Sequence, residues 1–444
     1  MRKSKKTIAC VLSITVAISL LLTACGQAKP TNTKQKQAVS ETIPAEGTAA
    51  DVPKRIIGMI SSIPEGRTPY LDYDTENGSF VVKGAEAKPV TSSDTEWGTD
   101  GEDSWYVANS NITISKKRII CHGNVHLILA DGFKLSVEGG IEVIKGNSFT
   151  VYGQEKGSGM LVCEKPGENT PAIGGYRCDL VPNPAVPGDI TINGGYIVAQ
   201  GGTSASGIGG AYNYRLDLKL DCTITINGGK IIAKAGRGSA AAIGGGPRSS
   251  SGTIVINGGD ITAIGTSDSS GSGGPGIGGG NQGSVDSITI NGGKILACGG
   301  GQSAGIGGER CSIGSIVING GEITALGGEI GGAGIGAGAY SSFNEKSVIE
   351  INGGKVTAYG FCKSAGIGGA LNVSGTAKVI INGGEIEAYG ERGIGMNCTI
   401  TLSPGDGQAI NVKLLFEENP EGTTYTEATT FSSSSREVHL KTIK

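Results

Sequence analysis

The sequence predicts an all-β fold, a single-stranded parallel β-helix (β-solenoid), expected to be right-handed and closed by a cap at each end. Three observations lead there. Glycine supplies 79 of the 444 residues, against a usual share of about 7%, while tryptophan occurs only twice. A unit reading I-x-I-N-G-G-x-I-x-A, then a Gly/Ser loop, then G-I-G-G, recurs from about residue 173 to residue 397. Within each unit apolar residues alternate, as in Ile224-Thr225-Ile226, which is the period of a strand with one buried face.

The Asn-Gly-Gly stations begin at Asn193, Asn227, Asn257, Asn291, Asn319, Asn352 and Asn382, separated by 34, 30, 34, 28, 33 and 30 residues. Length therefore varies only in loops. No glycine-every-third-residue register is present, so collagen is excluded. Hairpins would need alternate strands of different sequence. Every unit instead offers the same strands in the same order, so like stacks on like in coils about 4.8 Å apart, giving the seven stations a span of roughly 30 Å.

Repeated positions become columns. The asparagines are expected to point inward and hydrogen-bond to their stacked neighbours, a structural ladder rather than a ligand-binding row. After each N-G-G stand Tyr196, Lys230, Asp260, Lys294, Glu322, Lys355 and Glu385, whose charge alternates from the second copy onward. In-register stacking would set each lysine between carboxylates and disfavour a slipped register. Ile173, Ile208, Ile243, Ile277, Ile306, Ile335, Ile367 and Ile394, each followed by glycine, should form a buried stack. No G-x-x-x-x-G-K-[ST] loop is present, which argues against phosphate binding, and the calcium nonapeptide is missing its aspartates.

The ends read differently. Arg2, Lys3, Lys5 and Lys6 precede an apolar run from Thr7 to Leu22 and then Leu22-Thr23-Ala24-Cys25. The run is shorter than the roughly 20 residues that span a bilayer. It resembles the signal of bacterial lipoproteins, which implies that Cys25 is acylated, palmitate being one such chain, and becomes the mature N-terminus. Two or three acyl chains hold a protein stably at a membrane. The expected organisation is a signal peptide over 1–24, a disordered tether over 25–54, an N-terminal cap over 55–104, shorter coils over 105–172, the glycine-rich repeats over 173–397 and a C-terminal cap and tail over 398–444. Localisation is expected at the extracytoplasmic face of a bacterial membrane.

Without residues 1–24 the chain carries 33 basic and 40 acidic residues, which disfavours nucleic acid as a partner. Eight cysteines besides Cys10 and Cys25 are scattered without C-x-x-C pairs or nearby histidines. No zinc or other metal site, and no cofactor, is indicated. The cysteines either pair in part or remain free as small core residues.

Function is expected in the loops, because the coil itself must repeat. Between G-I-G-G and the next I-x-I-N the chain carries Tyr176-Arg177, then Tyr212-Asn213-Tyr214-Arg215, Pro247-Arg248, Asn281-Gln282, Glu309-Arg310 and Tyr340-Ser341-Ser342-Phe343. Rings mixed with arginines and amides suit a sugar: rings stack on pyranose faces while polar groups bond hydroxyls. The candidate ligand-binding residues are Tyr176, Arg177, Tyr212, Tyr214, Arg215, Tyr340 and Phe343. No catalytic residue is assigned. Cleavage of a polysaccharide would need paired carboxylates, or a base beside acidic metal ligands, and Arg215 with Asp217 and Asp221 is the nearest approach.

Trp105-Tyr106-Val107, the run Val125 to Gly132, Gly146 to Gln154 and the repeated I-N-G-G and G-I-G-G together resemble a group of bacterial cell-surface β-helix proteins. Its members are often labelled carbohydrate-binding domain proteins. The resemblance covers about residues 100 to 400 and implies a polysaccharide or cell-envelope glycan as partner, with the membrane reached through the N-terminal lipid. A non-binding spacer or adhesin, and a polysaccharide lyase or hydrolase, are the alternatives.

Overall fold

The computed structural model divides the chain into two units, Met1–Glu46 and Gly47–Lys444. It describes residues 63–164, 166–175, 186–213, 222–404, 409–415, 426–427 and 437–443, all in the second unit, so Cys25 and the signal segment lie outside the described residues.

Each repeat folds as three short strands with a corner after each. In one coil these are Thr223–Ile226, Lys230–Lys234 and Ile243–Gly244. Alternation sends Ile224, Ile226, Ile231, Ala233 and Ile243 into the interior, where each is at most 1% exposed. Burying one isoleucine contributes about 1.5–3 kcal/mol, and every coil repeats the set. The three strands pair in parallel with their equivalents one coil on, Ile224 with Ile254, Ile231 with Ile261 and Ile243 with Ile277.

Parallel pairing runs from Lys88–Pro89 against Tyr106–Val107 to Ala377–Ile381 against Cys398–Leu402, so rungs form on both sides of the 105–397 span read from sequence. Ile119–Cys121 and Val125–Leu129 belong to one strand, Ile119–Leu129, which crosses a corner at Gly123. The strand Lys134–Val137 is an addition that sequence did not reveal. Where the shorter coils give way to the glycine-rich ones, Arg118 lies largely buried. Its guanidinium donates to the carbonyls of Gly139, Ile141, Pro171 and Gly174 and pairs with Glu142 at 3.1 Å.

The isoleucine stack forms as expected, all eight side chains being 0% exposed. The glycine after each isoleucine has φ between 108° and 141°, which side chains other than hydrogen rarely tolerate. Space forbids them too. A Cβ on Gly244 would stand 2.1 Å from the carbonyl oxygen of Gly278 in the next coil.

The asparagine ladder is also present, but it faces outward. Each Nδ2 donates to the Oδ1 of the preceding coil's asparagine at 2.6–2.8 Å, from Asn382 back to Asn193, and Asn193 donates to Asp72 Oδ1 at 3.0 Å. Asn291, Asn319 and Asn352 are exposed, and only Asn193 and Asn227 are buried. The expectation of inward-pointing asparagines is thus corrected. With Ile226, the last residue of its strand, turned in, the same alternation carried one residue further turns Asn227 out.

The charge column is in register, Lys230 with Asp260, Asp260 with Lys294, Lys294 with Glu322, and onward to Glu385. No pair in it closes to 4.0 Å among the described residues, so its contribution is long-range preference for register rather than contact ion pairing. Lys230 instead lies over the Tyr196 ring, 5.0 Å from its centroid.

Each end carries a closing element. Trp97, 1% exposed, closes the core and stacks with Tyr106 and Phe149. The hairpin of Thr68–Asp74 and Ser79–Ala85 crosses the start of the asparagine ladder. It is fixed by Tyr70 against Trp105 and Tyr152, by Leu71 N–H to Gly153 O, and by Phe80 against Gly228. At the other end Glu437–Ile443 pairs antiparallel with Glu385–Tyr389, ending the ladder of second strands with a strand of opposite sense. An unpaired parallel edge would invite association.

The close approach at the third corner yields a stability test. Gly244→Ala should lose roughly 2–4 kcal/mol through a strained backbone and a clash with a carbonyl. Gly146 also has positive φ but open space around its Cβ position, so Gly146→Ala should cost only about 1 kcal/mol. Equal losses in urea titrations would show that coil contact is not the constraint.

Candidate functional site

The loops after the third corner stack into a continuous edge. Arg248 N–H donates to Asn281 O, Gln282 to Glu309 O, Arg310 to Ala339 O and Tyr340 to Leu371 O, at 2.7–3.1 Å, so consecutive coils share one backbone course there. Along it Arg248, Gln282, Arg310, Tyr340 and Asn372 occupy one column. All five have φ between 50° and 62°, the left-handed region. That conformation turns the side chains away from the coil: Gln282, Arg310, Tyr340 and Asn372 are exposed and Arg248 is half-buried.

The exposed groups engage one another along the axis. The Arg248 guanidinium lies 5.6 Å from the centroid of the Tyr212 ring, and its Nε donates to Gln282 Oε1 at 3.2 Å. Arg310 lies 5.1 Å from the Tyr340 ring, which is 47% exposed. Each cation–π contact at such a site is worth about 0.5–1 kcal/mol and holds a guanidinium and a ring side by side. The result is a strip with a tyrosine at each end, two arginines inside them and an amide at the centre.

Of the residues expected to bind ligand, Tyr212 and Tyr340 lie on this strip. Tyr176, Arg177, Tyr214 and Arg215 lie outside the described residues, as do Asp217 and Asp221. Phe343 does not belong to the surface. It is 5% exposed, pairs in register with Ile313, which pairs with Val285, and so continues an inward apolar column. Arg248, Gln282 and Arg310 were visible in the variable loops but were not among the expected binding residues; their common left-handed conformation is what joins them.

One polar group has gone inside. Glu309 immediately precedes Arg310, and the loop there is one residue shorter than its neighbours: three residues lie between Ile306 and Arg310, four between Ile277 and Gln282. Its side chain lies beneath the edge and is 0% exposed, at the place where Pro247, Asn281 and Ala339 are buried in neighbouring coils. Its Oε2 accepts from Gly273 N–H, and its Oε1 stands 3.6 Å from Arg310 Nε without a well-formed hydrogen bond. Burial pushes this carboxyl up to about 7, against the pull of Gly273, Asn281 and Arg310 and with the Asp268 charge adding to the rise. Fully covered, it is no acid or base for a polymer lying on the strip.

Five segments of the chain, 190–212, 224–247, 254–281, 288–308 and 349–371, match a family model described as a beta helix repeat. Each matched segment starts at the first isoleucine of an I-x-I strand and runs through the third corner, the same unit the geometry defines. The fold is a parallel β-helix. No curated protein and no solved structure matches this β-helix chain.

Glu309 gives a pH test. A carboxyl whose folded value lies above its free value of 4.5 contributes its stability fully below pH 4.5 and loses it as pH rises towards 7. The loss is on the order of 3 kcal/mol. Glu309→Gln should remove that slope, so the variant should unfold at higher temperature than the wild type at pH 8 and match it near pH 4.5. Parallel Tm profiles for the two proteins would refute the assignment.

Proposed function

We propose that this chain is a lipid-anchored, extracytoplasmic β-helix that binds a glycan along the strip of Tyr212, Arg248, Gln282, Arg310 and Tyr340. Acylation at Cys25 holds it to the membrane, and the coils serve as a rigid support that spaces the binding groups one rung apart. Catalysis is not part of this reading.

The observation that carries it is conformational. A left-handed residue other than glycine costs roughly 1–3 kcal/mol, and such residues gather where the surrounding structure has a use for them. This chain places glycine at most of its positive-φ corners, yet at this column it places Arg248, Gln282, Arg310 and Tyr340. Glycine there would relieve strain without disturbing the core. What the large residues add is an exposed row of rings, guanidinium groups and amides, the combination that sugars are bound by.

Stability and binding should therefore move in opposite directions. In the full chain, Arg310→Gly and Tyr340→Gly are expected to leave Tm unchanged or raised, while glycan affinity falls about tenfold for each. The measurement is a glycan array on the detergent-solubilised protein, followed by titration of the best ligand against the two variants. Failure of the wild type to bind any glycan would favour the non-binding spacer.

A further inference from the structure

The strip exposes positive charge on a chain whose formal net charge is −3, and the acid beside Arg310 is buried. Among the five left-handed residues two are arginines and none is acidic. The carboxylate paired with Arg310, Glu309, lies beneath the strip with 0% exposure, whereas the Arg310 side chain is 42% exposed. Arg248 commits Nε to Gln282, and Arg310 turns Nε towards Glu309. Among the described residues no other hydrogen bond engages either guanidinium, which leaves the terminal nitrogens of both for a ligand. A guanidinium presents paired N–H donors that match a carboxylate or sulfate, and it does so far better than it matches a neutral hydroxyl.

Spacing adds a second constraint. Gln282 lies in the coil between Arg248 and Arg310, so the two arginines are two rungs apart, about 10 Å along the coil axis. That is close to the advance of one disaccharide along an extended polysaccharide. The central rung offers an amide, and the two ends offer tyrosine rings. A chain lying along the edge would meet cation, amide, cation in that order, with a ring at each end.

Resting on the glycan-binding reading of this strip, we propose that its ligand is an acidic polysaccharide carrying one anionic group per disaccharide, bound parallel to the coil axis with successive anions on Arg248 and Arg310. The sugar between them, uncharged, lies over Gln282. Tyr212 and Tyr340 pack against the sugars at either end of the bound stretch.

The test uses the full chain in detergent and three probes: a polysaccharide alternating a uronic acid with an N-acetylated amino sugar, the same polymer after chemical reduction of its carboxyl groups, and polyglutamate of similar length. The expected result is binding of the first that is at least tenfold tighter than of either other, weakening as salt rises. Arg248→Gln and Arg310→Gln should each lower that affinity about tenfold, with Tm within a degree or two of the wild type. Equal binding of the native and reduced polymers would overturn the acidic ligand and leave glycan binding standing. Equal binding of polyglutamate would overturn the requirement for sugar, and binding of none of the three would overturn both readings. Full affinity retained in both arginine variants would place the polymer elsewhere on the molecule.

Discussion

Everything in this protein follows from the distance between coils. Parallel strands hydrogen-bond at a separation of about 4.8 Å, and because all three strands of a coil obey that spacing at once, no coil can shift or tilt independently. At the third corner the constraint is tightest, since glycine backbone meets glycine backbone with no room for a methyl group. A position in one coil is therefore fixed against the same position in the next. Chemistry is repeated down the stack, so one residue type generates a line of them.

This rule explains why so much was legible in the sequence. The buried isoleucines stood out because each is isolated among glycines, and a lone apolar residue between corners can only face the interior. The asparagines were correctly paired with one another, since an amide both donates and accepts and needs just such a neighbour. Their direction was misread, although strand alternation carried one residue past Ile226 turns Asn227 outward. Phe343 was misplaced for a different reason. The insertion after it hid the shared pattern Ser284-Val285, Ser312-Ile313 and Ser342-Phe343, which in the structure is one inward column. The left-handed strip was the least legible feature. Backbone conformation at Arg248, Gln282, Arg310 and Tyr340 leaves no mark on composition or periodicity, and its three side-chain contacts join residues on different coils.

The strip and Glu309 show how a repetitive scaffold accommodates exceptions. Strain at five consecutive coils is tolerable because the isoleucine stack and three ladders of parallel strand pairing hold each coil to the next. In one coil the buried place held elsewhere by Pro247, Asn281 or Ala339 is taken by a carboxylate, Glu309, under the arginine beside it. The exchange leaves Arg310 outward with its acidic neighbour hidden. Irregular positions thus stay confined to loop length and loop residues, while the coil they rest on remains unchanged.

The asparagine ladder has a sense as well as a position. Every amide nitrogen points to the coil before it, and the series ends on the carboxylate of Asp72, the strongest acceptor in the line. Aligned amides polarise one another, so the negative charge at the start favours each successive bond in the same orientation. The ladder is therefore polar: each coil turns an amide donor towards the coil before it and an amide acceptor towards the coil after it, and the hairpin that bears Asp72 closes the donor end.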